Sequence, residues 1–100
     1  MSVDLAFDRE ALRRLCERWR IVELAVFGSA ARGEMRPDSD IDLMITFAVG
    51  AGWSLWDLVE LREELAALFG RPVDLVESGS IRNPFRRRSI ERDLTPIYAA

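Results

Sequence analysis

The strongest constraint on the fold is a run of alternating residues that follows an acidic turn. Residues 40–47 read Asp-Ile-Asp-Leu-Met-Ile-Thr-Phe, with apolar side chains at every second position from Ile41. Such alternation is typical of a β-strand with one buried face. Side chains two positions apart on a strand point to the same side, so Asp40 and Asp42 are expected to lie together. The run therefore predicts a strand that carries two carboxylates on one face.

These two carboxylates disfavour the fold unless something binds between them. Two ionised groups held close together repel, and aspartate is a poor strand former. Carboxylate oxygens suit Mg²⁺, which proteins usually hold with one or two carboxylates, several waters and substrate phosphates. The sequence therefore predicts a divalent-cation site at Asp40 and Asp42.

A second apolar run, residues 21–27, has the length of a strand and stops at Gly28-Ser29. Residues 30–33 can start only a short helix. A strand that passes through Gly-Ser into a helix presents backbone N–H groups, a hydroxyl and the positive end of a helix dipole, which favour phosphate. Gly28 would let a triphosphate approach the backbone closely. We therefore predict that Gly28 and Ser29 bind nucleotide phosphates beside the acidic strand.

These motifs together resemble a known family. Gly28-Ser29, ten residues and Asp40-Ile41-Asp42 resemble the Gly-Ser-x10-Asp-x-Asp signature of the DNA polymerase β nucleotidyltransferase superfamily. The longer form, Gly-Ser-Ala-Ala-Arg-Gly-Glu…Pro-Asp-Ser-Asp-Ile-Asp-Leu-Met-Ile, resembles its minimal nucleotidyltransferase (MNT) branch. A later stretch, Val73-Asp74-Leu75-Val76, matches the third carboxylate strand of that branch. The resemblance spans nearly the whole chain.

The resemblance implies a function and a mechanism. MNT proteins are antitoxins of type VII-like toxin–antitoxin pairs, and they transfer AMP from ATP to a tyrosine hydroxyl of a HEPN-domain ribonuclease toxin. Two Mg²⁺ ions would assist in-line attack at the α-phosphorus, and Asp74 would orient or deprotonate the nucleophile. The implied catalytic and metal-binding residues are Asp40, Asp42 and Asp74, and the candidate nucleotide-binding residues are Gly28, Ser29, Arg32 and Ser39. Arg36 is a further candidate, and Arg32 and Arg36 fit a surface position equally well.

Two other functions stay open. The chain could be an antitoxin that inhibits its HEPN partner by binding alone, although an intact set of three repelling carboxylates speaks against a vestigial site. It could also transfer a nucleotide to a small molecule such as an aminoglycoside. A domain of this size leaves no room for a second lobe that would recognise such an acceptor.

Composition excludes several other classes of protein. The sequence has no histidine and one cysteine, which removes His-dependent triads, His-ligated zinc sites and internal disulfides. All 14 basic residues are arginine, so the lysine of a phosphate-binding P-loop is absent too. A net charge of −3 argues against direct nucleic-acid binding. The sequence has neither a long apolar stretch nor a signal-peptide pattern at its N-terminus, so we expect no membrane association and a cytoplasmic location.

The remaining patterns predict one domain over residues 1–100, with an α+β (α/β) fold. We expect a small mixed sheet of three to four strands flanked by helices, as in the polymerase-β-type nucleotidyltransferase fold. Helix starts are predicted at Asp8, Ser54 and Asn83-Pro84. The predicted helices cover residues 9–19, 55–69 and 84–93, a third strand covers 71–77, and 95–98 form an edge strand that tolerates proline.

Several side chains keep two interpretations. Along helix 55–69 an apolar stripe of Leu55, Leu58, Val59, Leu65, Ala66 and Phe69 is interrupted by Arg62. Trp53 and Trp56 could pack over the sheet or anchor a partner. The arginines of residues 82–92 could form a solvated face, contact ATP phosphates or meet an acidic partner surface. We expect Cys16 to be a small core residue.

Overall fold

The structure, a computed structural model, describes residues 6–34, 36 and 39–100. Within these residues, helices and strands alternate along the chain. Their observed boundaries differ from the predicted ones by at most two residues. In chain order the elements are α1 (Arg9–Arg18), β1 (Ile21–Phe27), α2 (Gly28–Arg32), β2 (Ile41–Phe47), α3 (Leu55–Phe69), β3 (Val73–Glu77), α4 (Pro84–Asp93) and β4 (Thr95–Ala99).

The four strands form one mixed sheet in the order β3-β2-β1-β4. Strand β1 pairs antiparallel with both β2 and β4, and β2 pairs parallel with β3. The parallel pair requires a long crossover, which α3 supplies. Pro96 lies on the edge strand β4, where its missing N–H is tolerated. The predicted α+β fold with a small mixed sheet is therefore confirmed, with four strands.

Capping residues fix where three of the helices begin. The Asp8 carboxylate accepts hydrogen bonds from the N–H groups of the first turn of α1, and the Asn83 side chain does the same before Pro84 in α4. Ser54 and Asp57 form a reciprocal capping box at the start of α3. Gly70 ends α3 in the left-handed conformation that glycine adopts at low cost. These starts and the stop are the ones that the sequence predicted.

Two apolar clusters cover the two faces of the sheet. Helices α1 and α3 pack on one face and form the larger cluster, in which Cys16 is fully buried. Burial raises the pKa of the Cys16 thiol to about 12, so Cys16 is an unreactive core residue as predicted. On the opposite face, Ile90 of α4 packs against Phe27 and Ile81, next to Met44 and Val76. The smaller cluster therefore places α4 over the face that carries Asp42.

The apolar stripe predicted for α3 is partly wrong. Leu65 and Phe69 are buried as expected, but Leu55 is 76% exposed. Leu61, which the predicted stripe omits, is fully buried. The predicted stripe begins at Leu55, whereas the contact of α3 with the larger cluster begins at Leu58. Arg62 is exposed and flanks this buried side.

The two tryptophans near the start of α3 have different environments. The indole N–H of Trp53 donates a 2.8 Å hydrogen bond to the backbone oxygen of Trp19, and the two rings lie 4.8 Å apart between centroids. Trp53 thus packs against the core. Trp56 is 81% exposed. The interpretation as a packed residue is therefore correct for Trp53 and wrong for Trp56.

Over the described ranges, no helix combines the length and the apolar character that crossing a bilayer requires.

We expect Leu61→Ala to lower the free energy of unfolding by about 2–5 kcal/mol, because a fully buried leucine leaves a cavity when truncated. Leu55→Ala makes the same chemical change on the same helix at an exposed position, where the expected effect is below about 0.5 kcal/mol. Urea denaturation measures both variants. Equal losses would contradict the observed face of α3.

Candidate active site

Strand register brings two of the predicted carboxylates to neighbouring positions. Asp42 pairs with Phe27 of β1 on one side and with Asp74 of β3 on the other. In-register residues of paired strands point to the same face of the sheet, so Asp42 and Asp74 project together. Asp40 lies just before β2 and is exposed. The start of β2, the start of β3 and the end of β1 thus meet at one end of the sheet.

Asp42 is half-buried beside the other two carboxylates. Burial raises the pKa of its carboxyl above the usual range, and the carboxylates of Asp74 and Asp40 raise it further. The positive charges of Arg32 and Arg86 act in the opposite direction. Both acidic neighbours therefore oppose ionisation of Asp42.

A complete metal site is not preformed among the described residues, where no three acidic, histidine or cysteine side chains are grouped so that they could hold a metal ion. The donor chemistry nevertheless suits Mg²⁺, since Asp40, Asp42 and Asp74 offer only carboxylate oxygens. Their mutual repulsion is of the kind that a bound dication relieves. The residues therefore fit a divalent cation, and the expected two ions stay a prediction.

Gly28 lies directly against the carboxylate of Asp42. Its φ angle of +68° falls in the left-handed region, which side-chain-bearing residues rarely adopt. A Cβ atom built on Gly28 would lie 2.5 Å from Oδ2 of Asp42. Ser29 follows at the start of α2 and is half-buried. Glycine is thus required here by the backbone angle and by the neighbouring carboxylate, a second constraint that the sequence alone did not indicate.

Arg32, predicted to contact nucleotide, is engaged in ion pairs. Its Nε atom lies 3.2 Å from the Glu34 carboxylate, and its Nη1 atom lies 2.5 Å from the carboxylate of Asp93. Asp93 is the last residue of α4. The second pair therefore ties α2 to α4, and a nucleotide contact by Arg32 stays a prediction.

Ser39, another candidate for nucleotide binding, forms hydrogen bonds with Arg36. Its hydroxyl oxygen accepts a 3.0 Å hydrogen bond from the backbone N–H of Arg36, and its own N–H donates to the Arg36 carbonyl. The Arg36 side chain is exposed. A nucleotide contact by Ser39 also stays a prediction.

Arg71 is a residue of the site that sequence reasoning missed. Its Nη1 atom donates to the backbone oxygens of Arg36 at 2.8 Å and Ser39 at 3.4 Å. The Ile41 N–H also donates to the carbonyl of Pro72 at 3.0 Å. The chain entering β3 thus holds the segment that leads to Asp40. No motif links these positions, because the two segments are 32–35 residues apart.

An apolar groove opens beside Asp74, between α3 and the edge strand β3. It has a volume of about 250 Å³. Because β3 is an edge of the sheet, this side of Asp74 faces solvent. The lining residues are Ile45, Phe47, Leu55, Leu58, Val59, Arg62, Asp74, Leu75 and Glu77.

Two glycines test whether the space next to Asp42 matters. We expect Gly28→Ala to lower the free energy of unfolding by about 2–4 kcal/mol, because the left-handed angle and the collision with Asp42 act together. Gly33→Ala is the matched control. Gly33 has a similar φ of +73°, but an added Cβ meets nothing within 4 Å. Its expected cost is about 1–2 kcal/mol, measured by denaturation, and equal costs would remove the role assigned to Asp42.

Asp42→Asn should stabilise the fold at neutral pH. The raised pKa of Asp42 means that its ionised form weakens the folded state, and this loss develops as pH rises through that pKa. The expected gain at pH 7 is below about 1 kcal/mol, because the site is partly open to solvent.

Below the ordinary aspartate pKa of about 3.9, Asp42→Asn and the parent should have the same free energy of unfolding, since the carboxyl is then protonated in the folded and unfolded states. Urea denaturation across this pH range measures it, with Glu60→Gln on the exposed side of α3 as a control for removing one negative charge. A gain that is the same at every pH would point to packing and away from carboxylate repulsion.

Comparison with known proteins identifies the family of this chain. The nucleotidyltransferase domain family matches residues 8–96. The "Putative protein adenylyltransferase MJ1379" of Methanocaldococcus jannaschii is 40% identical over 90 residues, which cover 86% of this chain and 90% of that protein. The "Protein adenylyltransferase MntA" of Thermococcus cleftensis is 42% identical over 71 residues, which cover 71% and 70% of the two chains.

Solved structures share the fold. One described as "Structure of putative minimal nucleotidyltransferase" superimposes with a TM-score of 0.71 at 40% identity, covering 89% of this chain and 88% of the other. A structure of a tri-AMPylated Shewanella oneidensis HEPN toxin in complex with MNT antitoxin matches with a TM-score of 0.64 at 18% identity, covering 92% and 70%. At that lower identity the likeness concerns the fold alone.

The family profile covers nearly the whole chain, and a relative with 40% identity extends over most of both sequences. The expected nucleotidyltransferase activity is supported by the same relatives. The chain therefore belongs to the nucleotidyltransferase domain family, in agreement with the resemblance drawn from its Gly-Ser and Asp-x-Asp motifs.

Proposed function

We propose that this protein is the antitoxin of a toxin–antitoxin pair and that it transfers AMP from ATP to a tyrosine hydroxyl of a HEPN-domain ribonuclease toxin. The relatives named as protein adenylyltransferases support a protein as the acceptor. The MNT antitoxin that shares this fold is complexed with an AMPylated HEPN toxin, which gives the acceptor class that we propose. Transfer of AMP would silence the toxin.

The observation that carries the proposal is the pairing of Asp42 with Asp74 across β2 and β3, with Gly28 pressed against Asp42. This pairing concentrates negative charge where Asp42 is already half-buried. A fold gains nothing from ionising such carboxylates side by side. A cation-assisted reaction does require them.

Each residue has a proposed part in the reaction. Asp40 and Asp42 would bind divalent cations, and Asp74 would complete the set on the solvent-facing side. Gly28 and Ser29 would hold the β and γ phosphates through backbone N–H groups and the serine hydroxyl. Bound Mg²⁺ supplies charge neutralisation on the phosphates and a lower pKa for the attacking hydroxyl.

The proposed transfer is a single displacement at phosphorus. The tyrosine oxygen forms a bond to the α-phosphorus of ATP while the bond from that phosphorus to the bridging oxygen of the β-phosphate breaks. Diphosphate leaves with that oxygen. The tyrosine proton passes to Asp74, whose exposed position on an edge strand leaves it open to an acceptor from outside the chain.

Mass spectrometry tests the reaction. When the HEPN toxin is incubated with this protein, ATP and Mg²⁺, its intact mass should rise by whole AMP units, and the modified tyrosine should appear in its peptides. We expect Asp74→Asn to slow transfer by about 10²–10⁴-fold, the usual contribution of a general base. Asp42→Asn should reduce the rate at least as much, because cation binding would also suffer.

Glu60→Gln serves as the control, since it removes a carboxylate from the exposed side of α3 and should keep the parental rate. A toxin that is inhibited with no change in mass would identify an antitoxin that acts by binding alone. Transfer at the parental rate by Asp42→Asn would disprove the assignment of the site.

A further inference from the structure

The proposed site has a shortage of positive charge. Asp40, Asp42 and Asp74 place three carboxylates near one end of the sheet, and a nucleoside triphosphate brings several more negative charges. Bound cations offset part of this charge. Enzymes that bind phosphate chains usually add arginine, whose planar guanidinium donates two parallel hydrogen bonds to phosphate oxygens.

Of the arginines near Asp42, Arg32 is poorly suited to this task. It pairs with both Glu34 and Asp93, so two carboxylates already compensate its charge. The Asp93 side chain is only 15% exposed, which makes the second pair a fixed link between α2 and α4. Turning Arg32 toward a nucleotide would leave Asp93 partly buried without its partner.

Arg86 is better suited than Arg32 to bind a phosphate. It lies in the first turn of α4, one helical turn before Ile90. Ile90 is buried against Phe27, and Phe27 is the register partner of Asp42. Residues three and four apart share one side of a helix, so Arg86 and Arg87 both lie on the side of α4 that carries Ile90, and of these two only Arg86 is among the charges that act on Asp42.

The electrostatics of Asp42 agree with this placement, because Arg86 counts with Arg32 among the positive charges that lower its pKa. Among the described residues, no carboxylate lies within 4.0 Å of the Arg86 guanidinium. Arg88 is two positions further along α4, about 200° around the helix, and lies on the opposite side.

The backbone that carries Arg86 is held at three places. Asn83 caps the first turn of α4, Ile90 is inserted in the smaller cluster, and Asp93 pairs with Arg32. The side chain itself is exposed and long. A flexible cation on a fixed helix can reach a ligand without moving the scaffold.

We propose that Arg86 binds the phosphate chain of the nucleotide, as the arginine that α4 presents to the three-carboxylate end of the sheet. This role rests on the proposed function, since it requires a nucleotide at Asp40, Asp42 and Asp74. It assigns one residue of the arginine-rich helix to the ligand and leaves Arg88 and Arg92 on its outer side.

Binding of AMP-PNP, an unreactive ATP analogue, in the presence of Mg²⁺ tests the proposal by isothermal titration. We expect Arg86→Gln to weaken binding by about 10- to 100-fold, the range for loss of a charge-assisted hydrogen bond. Arg88→Gln is the matched control, with the same charge change on the same helix, and should stay within about twofold of the parent. Arg86→Lys should recover part of the affinity, because it keeps the charge and loses the planar fork.

The melting temperature of each variant separates binding from folding. Arg86→Gln should have the melting temperature of the parent, since the exposed guanidinium has no carboxylate partner in the part of the chain that the structure describes. If Arg86→Gln and Arg88→Gln weaken binding equally, general charge on α4 is responsible and the proposal is wrong. Unchanged binding by Arg86→Gln also overturns it.

Failure of the proposed function has a different signature. A parental protein that binds AMP-PNP but adds no AMP to the HEPN toxin contradicts the transfer reaction, while the Arg86→Gln titration still decides the role of Arg86. A parental protein that binds no AMP-PNP with Mg²⁺ overturns both proposals.

Discussion

The close approach of the Asp42 carboxylate to the backbone of Gly28 is the constraint on which the rest of the site depends. It joins the end of β1 to the start of β2, at the position where Phe27 and Asp42 are paired. A Cβ atom at position 28 would collide with this carboxylate, so the Asp42 side chain can keep its observed position only beside a glycine. The parallel pairing of β2 with β3 then adds Asp74 to the same end. The phosphate-binding residues predicted at 28–29 and the carboxylates are therefore brought together by the same strand pairings.

Helix α4 lies over the face of the sheet that carries Asp42 and brings positive charge to this acidic end. Its Asp93 fixes Arg32, and its Ile90 packs beside the strand that pairs with Asp42. The helix is polar apart from a few side chains, and Ile90 is its one buried residue among those described. Its attachment is consequently narrow, so that most of its arginines lie in solvent. The arginines of α4 are therefore exposed beside the sheet, and only a small apolar contact holds the helix in place.

Much of the fold could be predicted because its signals are local. Caps at Asp8, Ser54 and Asn83 mark three helix starts, and alternation from Ile41 marks the central strand. The site motif was recognisable since Gly28-Ser29 and Asp40-Ile41-Asp42 stand close together in sequence. Each of these patterns is formed by residues that are close together in the sequence.

The remaining features depend on contacts between distant segments, which local patterns do not encode. The ion pair of Arg32 with Asp93 and the hydrogen bonds of Arg71 to the backbone oxygens of Arg36 and Ser39 both join segments that are distant in sequence. The exposure of Leu55 follows from where the crossover helix begins to meet the sheet. For the same reason, the two tryptophans of similar sequence context could not be told apart.

The direct passage from α4 into β4 has a mechanical consequence. Only Leu94 separates Asp93 from Thr95, and Thr95 of β4 pairs with Val26 of β1, two residues before Gly28. A pull on the final strand is therefore transmitted within one residue to the helix that carries Arg86. A tag or partner that displaces β4 would therefore act on α4 through Leu94 and on β1 through the lost pairing, without contacting the three carboxylates.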